Sequence, residues 1–164
     1  MFSTHKKVRG IASRRSGSAT LELSITLSLL FLVSFGMVEF GYCFYVKNIM
    51  EGAAREGCRA GIVTGATTAN CNSAIENQLQ QAYLVPSGTT ASAGTSTYTI
   101  GHYTVTYMDN GTTVTDISTV AVGDTLTAQV TAVWGTVGAN FRVLGLMPST
   151  KVLTAATAMR KEGQ

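Results

Sequence analysis

Ser18 and Glu22 stand four residues apart, directly behind Gly17 and two arginines, at the mouth of a long apolar run. On a helix that spacing puts both on one face. Between them they could do one piece of chemistry. If the chain is cut between Gly17 and Ser18, Ser18 acquires a free amine and Glu22 lies within one turn of it. A carboxylate at a membrane is costly unless paired. A new amine, on the same chain or on a neighbour during assembly, would pair it. A second reading stays open: Glu22 also sits near a helix N-terminus at headgroup level, where the dipole favours an acid by about 0.3–1 kcal/mol.

Glu39 interrupts the apolar run itself. Acids inside a membrane are candidates for function. If the bilayer ends near Val38, Glu39 is at its outer edge. If the span continues to Val46, Glu39 needs a partner in another subunit or in an assembly-platform protein, and that is the reading carried forward.

Other reactive groups are sparse. The two histidines, His5 and His102, lie far apart in the chain, and the three cysteines lack zinc spacing. There is no nucleophile elbow, no phosphate loop and no pair of carboxylates on a common element. Asp109, Asp116 and Asp124 fall in or near turns, where their side chains serve the backbone. The expectation is a protein without catalytic, cofactor or metal sites, and without a small-molecule substrate.

These residues must be positioned by something, and charge and hydropathy say what. Hydrophobic residues make up 45% of the 164, charged ones only 13%. Lys6, Lys7, Arg9, Arg14 and Arg15 precede the first acid, and the rest of the chain is slightly acidic. A basic tail of this kind does not read as a nucleic-acid surface. Beside an apolar run it reads as a topology signal, holding the N-terminus in the cytoplasm.

From Leu23 to Val38 there is no charge, and Phe40 to Val46 is apolar or aromatic again. As helix, Leu23–Val46 would rise about 36 Å, enough for a hydrocarbon core of about 30 Å. A cleaved secretory signal with its site near Ser34 or Gly36 is the rival, but the apolar run continues well past Gly36. The expectation is a retained single-pass anchor in the inner (cytoplasmic) membrane, with the C-terminal head periplasmic or extracellular.

At these residues the chain resembles a bacterial type IV pilin-like precursor, in which a basic leader ends in Gly, an apolar helix follows and a Glu lies five residues after the Gly. Gly17 and Glu22 match. The block from Met37 to Val63, "MVEFGYCFYVKNIMEGAAREGCRAGIV", is similar to the TadE-like proteins of the tight-adherence (Flp, type IVb) pilus system, through Glu39-Phe40-Gly41 and Ala53-Ala54-Arg55-Glu56-Gly57-Cys58-Arg59-Ala60. Two positions depart from the pattern: Cys58 stands where Ala is usual, and Leu23 follows Glu22 where an aromatic is common. The resemblance implies processing after Gly17 by a prepilin peptidase of the aspartic class. It implies other pilins or pseudopilins and Tad assembly-platform proteins as partners, and a pseudopilin role in pilus assembly. The alternative is an unprocessed, membrane-anchored binding or adhesin domain.

The organisation expected is therefore a basic leader over 1–17, a transmembrane and extended helix over 18–63, and an α+β head over 64–164. Beyond the membrane Ala53, Gly57, Gly61 and Gly65 recur every four residues, leaving a face bare of bulk that the chain's own sheet or another subunit should cover. Asn72–Leu84 reads as a short second helix stopped by Pro86, and Ser87–Thr97 as a loop. Period-two alternation follows over Tyr103–Tyr107, with Asp109-Asn110-Gly111 as a hairpin turn. Thr112–Ile117 should return, Leu126–Trp134 should be a central strand and Val152–Met159 the last one. The stretch "FRVLGLMP" is an irregular apolar connection, beside the sheet or near the membrane. Three to five antiparallel strands leaning on one long helix bury these faces. With Cys58 and Cys71 both on the translocated side, a disulfide between them would tie the end of the first helix to the start of the second.

Overall fold

The computed structural model describes residues 14–163. Lys6, Lys7 and Arg9 of the expected leader lie outside the described residues. The fold is α+β: one long helix, a short second helix and an antiparallel sheet.

Helix α1 runs from Arg14 to Gly61, 48 residues, or about 72 Å of axis. It is two structures end to end. From Gly17 to Phe35 every residue is exposed. From Gly36 onward burial recurs every three or four residues, at Glu39, Cys43, Val46, Met50, Ala53, Gly57 and Gly61. That is the spacing of one helical face laid against a core. The chain leaves α1 at Gly61, two residues before the end expected at Val63.

Helix α2 spans Thr68–Gln81, earlier at both ends than the apolar pattern alone predicts. Its start is set by Thr67, whose side chain accepts from the Asn70 amide at 3.3 Å, a hydrogen-bonding N-cap. Its end is set by Tyr83, which takes φ +56°, rather than by Pro86. The Leu84 amide then reaches back to the Leu79 carbonyl at 3.0 Å, in the manner of a left-handed C-terminal cap. Cys71, Ile75 and Leu79 form its buried stripe.

The sheet has six strands: β1 (Ser92–Ala93), β2 (Tyr98–Ile100), β3 (Tyr103–Asp109), β4 (Thr112–Val114), β5 (Thr125–Val133) and β6 (Val152–Arg160). The order is β1-β2-β3-β5-β6, with β4 following β2 along the same side of β3. All neighbours are antiparallel. Asn110 and Gly111 both take positive φ, the requirement of the tight turn that joins β3 to β4. Strand β5 is paired along both edges. Its Leu126, Ala128, Val130 and Ala132 alternate inward beside Tyr103, Val105 and Tyr107 of β3.

Helix α1 beyond Gly36 and α2 cover this inner face. A Cβ on Gly57 would meet Ile75 Cδ1 of α2 at 2.7 Å, and one on Gly61 would meet Leu126 Cδ2 of β5 at 2.5 Å. The bare face of α1 thus exists so that α2 and the sheet can approach its backbone. Gly65 falls outside this contact and instead turns the chain, with φ +78°.

Candidate assembly surface

Gly17, Ser18 and Glu22 lie within the first turns of α1, all exposed. Gly17 has nothing within 4 Å of where a Cβ would be. The helix is already under way at Arg14, so the Gly17–Ser18 peptide is a helical one. Glycine there weakens the helix by about 1 kcal/mol relative to alanine. Glu22 makes no ion pair among the described residues. It is eight residues from Arg14, roughly 12 Å along the axis, and the dipole's influence is spent within the first turn. Either reading of Glu22 therefore needs a new terminus near Ser18.

Along the same stretch the hydroxyls turn inward on the helix itself. Ser24 Oγ donates to the Thr20 carbonyl at 2.8 Å, Thr26 Oγ1 to Glu22 at 2.9 Å and Ser28 Oγ to Ser24 at 2.8 Å. These side chains spend their donors before meeting any neighbour, which suits a helix surrounded by lipid or by other apolar helices. With a mean hydropathy of 2.0 in its most apolar window, α1 is long and apolar enough to cross a membrane.

Glu39 is fully buried. Its Oε1 accepts from the Met147 amide at 3.0 Å and its Oε2 from the Leu146 amide at 3.3 Å. These donors belong to the connection between β5 and β6, where a short turn of helix, α3 (Trp134–Val137), leads into an irregular stretch. That stretch lies antiparallel along α1. The Phe141 ring stacks on Tyr42 with centroids 3.9 Å apart, and Leu146 Cδ1 lies 3.4 Å from where a Cβ of Gly36 would be. The carboxylate that the sequence leaves to an external partner here meets amides of its own chain. Sequence reasoning could see the apolar connection and the stranded acid, but no residue-type pattern marks a backbone amide as a carboxylate's partner.

Cys58 and Cys71 are free thiols in the structure, as is Cys43, and all three are buried. The expected Cys58–Cys71 bond is not formed. Cys58 Sγ is instead held by the sheet: it donates to the Thr157 carbonyl of β6 at 2.8 Å and accepts from the Ala128 amide of β5 at 3.1 Å. Cys71 lies in the core between α1 and α2, where burial pushes its thiol up to about 12. No group of acids, cysteines and histidines that could hold a metal occurs among the described residues. Asp116 works as a turn residue. It accepts from the Ser118 amide at 2.9 Å, and that bond holds its carboxyl below the usual range.

One part of the chain matches a known family. Residues 17–59 match the family model of the TadE-like protein. Over those residues α1 is similar to TadE-like proteins. The TadE-like match begins at the glycine of the proposed cut and stops two residues before α1 ends. It takes in Glu22, Glu39 and the small-residue face that packs on α2, and leaves the sheet outside. No curated protein and no solved structure matches the chain. The TadE-like segment points to the Tad pilus system and to membrane association.

Proposed function

We propose that this chain is a minor pilin-like component, a pseudopilin, of a Tad/Flp type IVb pilus assembly machine. Its role is structural rather than catalytic. The N-terminus stays in the cytoplasm, a prepilin peptidase cuts after Gly17, and the exposed half of α1 packs against the equivalent helices of other pilins or against assembly-platform proteins. The observation that carries this reading is the division of α1. A helix exposed on every side from Gly17 to Phe35 continues without a break into a helix held by the head. An apolar rod joined rigidly to a folded head can leave lipid for a bundle of similar rods without refolding. Glu22, four residues beyond the new amine of Ser18, then supplies a charge that an amine freed by the cut, on the same chain or on a neighbour, can neutralise.

One observation favours the alternative of an unprocessed, membrane-anchored binding domain: the bond to be cut lies inside a helix already formed at Arg14. The intact mass and N-terminal sequence of the membrane-extracted protein separate the two. An N-terminus at Ser18 is expected; an uncut chain in cells that hold the peptidase overturns the processing claim. Gly17→Val should accumulate as precursor that still inserts, since the basic flank and apolar span are unchanged.

A further inference from the structure

We propose that the connection over residues 139–148 is a second membrane-embedded element, a wedge seated in the head-side leaflet beside the anchor. The proposal rests on α1 being the membrane anchor and says what else enters the lipid with it.

The first ground is depth. Counting about 20 residues of helix for a hydrocarbon core from Leu23, where the uncharged stretch begins, places the head-side boundary near Tyr42. The connection meets α1 at Tyr42 through Phe141 and descends to Gly36 through Leu146. Six residues of helix separate those levels, about 9 Å, a depth at which amphipathic elements lie in the boundary between headgroups and acyl chains.

The second ground is what the wedge does to Glu39. This acid falls within the count, and a carboxylate facing lipid is expensive. Glu39 is fully buried, and Leu146 and Met147 give it two amide donors. The exchange works in both directions. Irregular backbone cannot lie at membrane depth with its amides unsatisfied, and Glu39 satisfies two of them. Each group would be costly there alone, and each offsets the other's cost; the polar side chains that remain in the stretch are the half-buried Arg142 and the exposed Asn140.

The third ground is the outer surface of the wedge. Val143, Leu144 and Leu146 are exposed, and so are Met37, Val38 and Phe40 on the adjoining turns of α1. These side chains continue the apolar surface of the anchor without a step in polarity. In water such a patch would be a liability; continuity with the lipid-facing helix names the bilayer as its occupant.

The test uses the full chain in phosphatidylcholine vesicles, with a nitroxide on Leu144→Cys, on Phe31→Cys or on Tyr83→Cys. The native thiols are buried, and the unsubstituted chain measures any background labelling. Collision rates with oxygen and with a water-soluble nickel chelate report depth. The ratio of oxygen to nickel collisions at 144 should be several-fold above that at 83 and approach that at 31. A ratio at 144 equal to that at 83, with 31 in lipid, overturns the wedge and leaves the anchor standing. Water at both 31 and 144 overturns the anchor reading, and the wedge with it. Dipolar broadening at 144 that vanishes on dilution with unlabelled chain would seat a second copy on the surface and overturn the lipid assignment.

Discussion

The two halves of α1 form one unbroken helix and meet opposite surroundings. Between Gly17 and Phe35 large side chains such as Leu27 and Phe31 point outward on all sides and nothing in the chain covers them. Between Gly36 and Gly61 the covered positions include small residues, Ala53, Gly57 and Gly61, and the large apolar groups that fill the space belong to α2 and the sheet. The first half carries its apolar surface to an outside partner. The second half gives up its own bulk so that a partner within the chain can come close. Charge separates them too: Glu22 is the one charged residue from Gly17 to Phe35, and Gly36–Gly61 carries six.

The largest consequence is for the same substitution made in each half of the molecule. Leu126→Ala opens a hole under α1 in the fully buried core and should cost about 2–5 kcal/mol. Leu27→Ala, on the exposed half, should leave head stability unchanged. Urea unfolding in detergent, followed through the fluorescence of the buried Trp134, reads the difference. Equal losses from both would mean that the exposed half packs back on the head.

Next come the glycines. Gly61→Ala places a methyl 2.5 Å from Leu126 Cδ2 and 2.9 Å from Cys71 Sγ. Overpacking of this kind costs about 1–3 kcal/mol, against a gain in helix propensity of up to about 1 kcal/mol. A net loss of about 1–2 kcal/mol is expected on the same two scales. Gly52→Ala, with nothing within 4 Å, should keep the propensity gain and raise the unfolding midpoint. Opposite signs from one chemical change within a single helix would locate the buried face without a structure.

Much of this division was legible in the residues. The uncharged run, the four-residue recurrence of Ala53, Gly57 and Gly61, the alternation in β3 and β5 and the Asn110-Gly111 turn all encode local rules with a fixed period or a fixed φ. What escaped them was non-local or too short to have a period. Strand β2 has three residues and β1 two, and both exist because β3 offers an edge. The start of α2 depends on Thr67, a cap that precedes the apolar stripe. The end of α2 depends on Tyr83, a residue type that seldom signals positive φ. At the candidate site, Gly17, Ser18 and Glu22 were found by spacing, and the structure adds only their exposure and their place in the helix. The environment of Glu39 is made by a segment more than a hundred residues away, through backbone groups that every residue has.

A smaller effect concerns pH. Cys71 is buried beside α1 and its thiol is pushed from about 9 up to about 12, first by burial and then by the neighbouring Cys58. A raised folded-state value means that the unfolded chain releases its proton first as pH rises. The contribution is therefore intact below pH 9 and is lost progressively between about 9 and 12. At pH 10 the loss is about 1 kcal/mol from this one group. Cys71→Ala should flatten the fall in stability above pH 9 relative to the unsubstituted chain. An identical alkaline slope in both would place the thiol in contact with solvent. The exposed half of α1 contains no comparable group, so Leu27→Ala should leave that slope unchanged.

The smallest effect on stability is expected at Glu22, and that smallness is what makes it informative. Glu22→Gln removes a charge from an exposed position with no ion pair among the described residues. Its shift in the Trp134 unfolding midpoint should stay within about 0.5 kcal/mol, as for other exposed sites. Assembly should respond quite differently, because the amide is nearly isosteric yet cannot pair with the amine of Ser18. The uncut chain is already helical at Arg14, so neither the amine nor the helix dipole reaches Glu22 until the chain is cut. Loss of recruitment should therefore appear for Glu22→Gln in the cut protein. It should add nothing once Gly17→Val has blocked the cut. Recruitment can be scored by co-purification of the membrane-extracted chain with a tagged second copy. If Glu22→Gln lowers recruitment equally in the cut and uncut backgrounds, the carboxylate acts without the amine. If it lowers recruitment in neither, the exposed half of α1 assembles through its apolar surface alone.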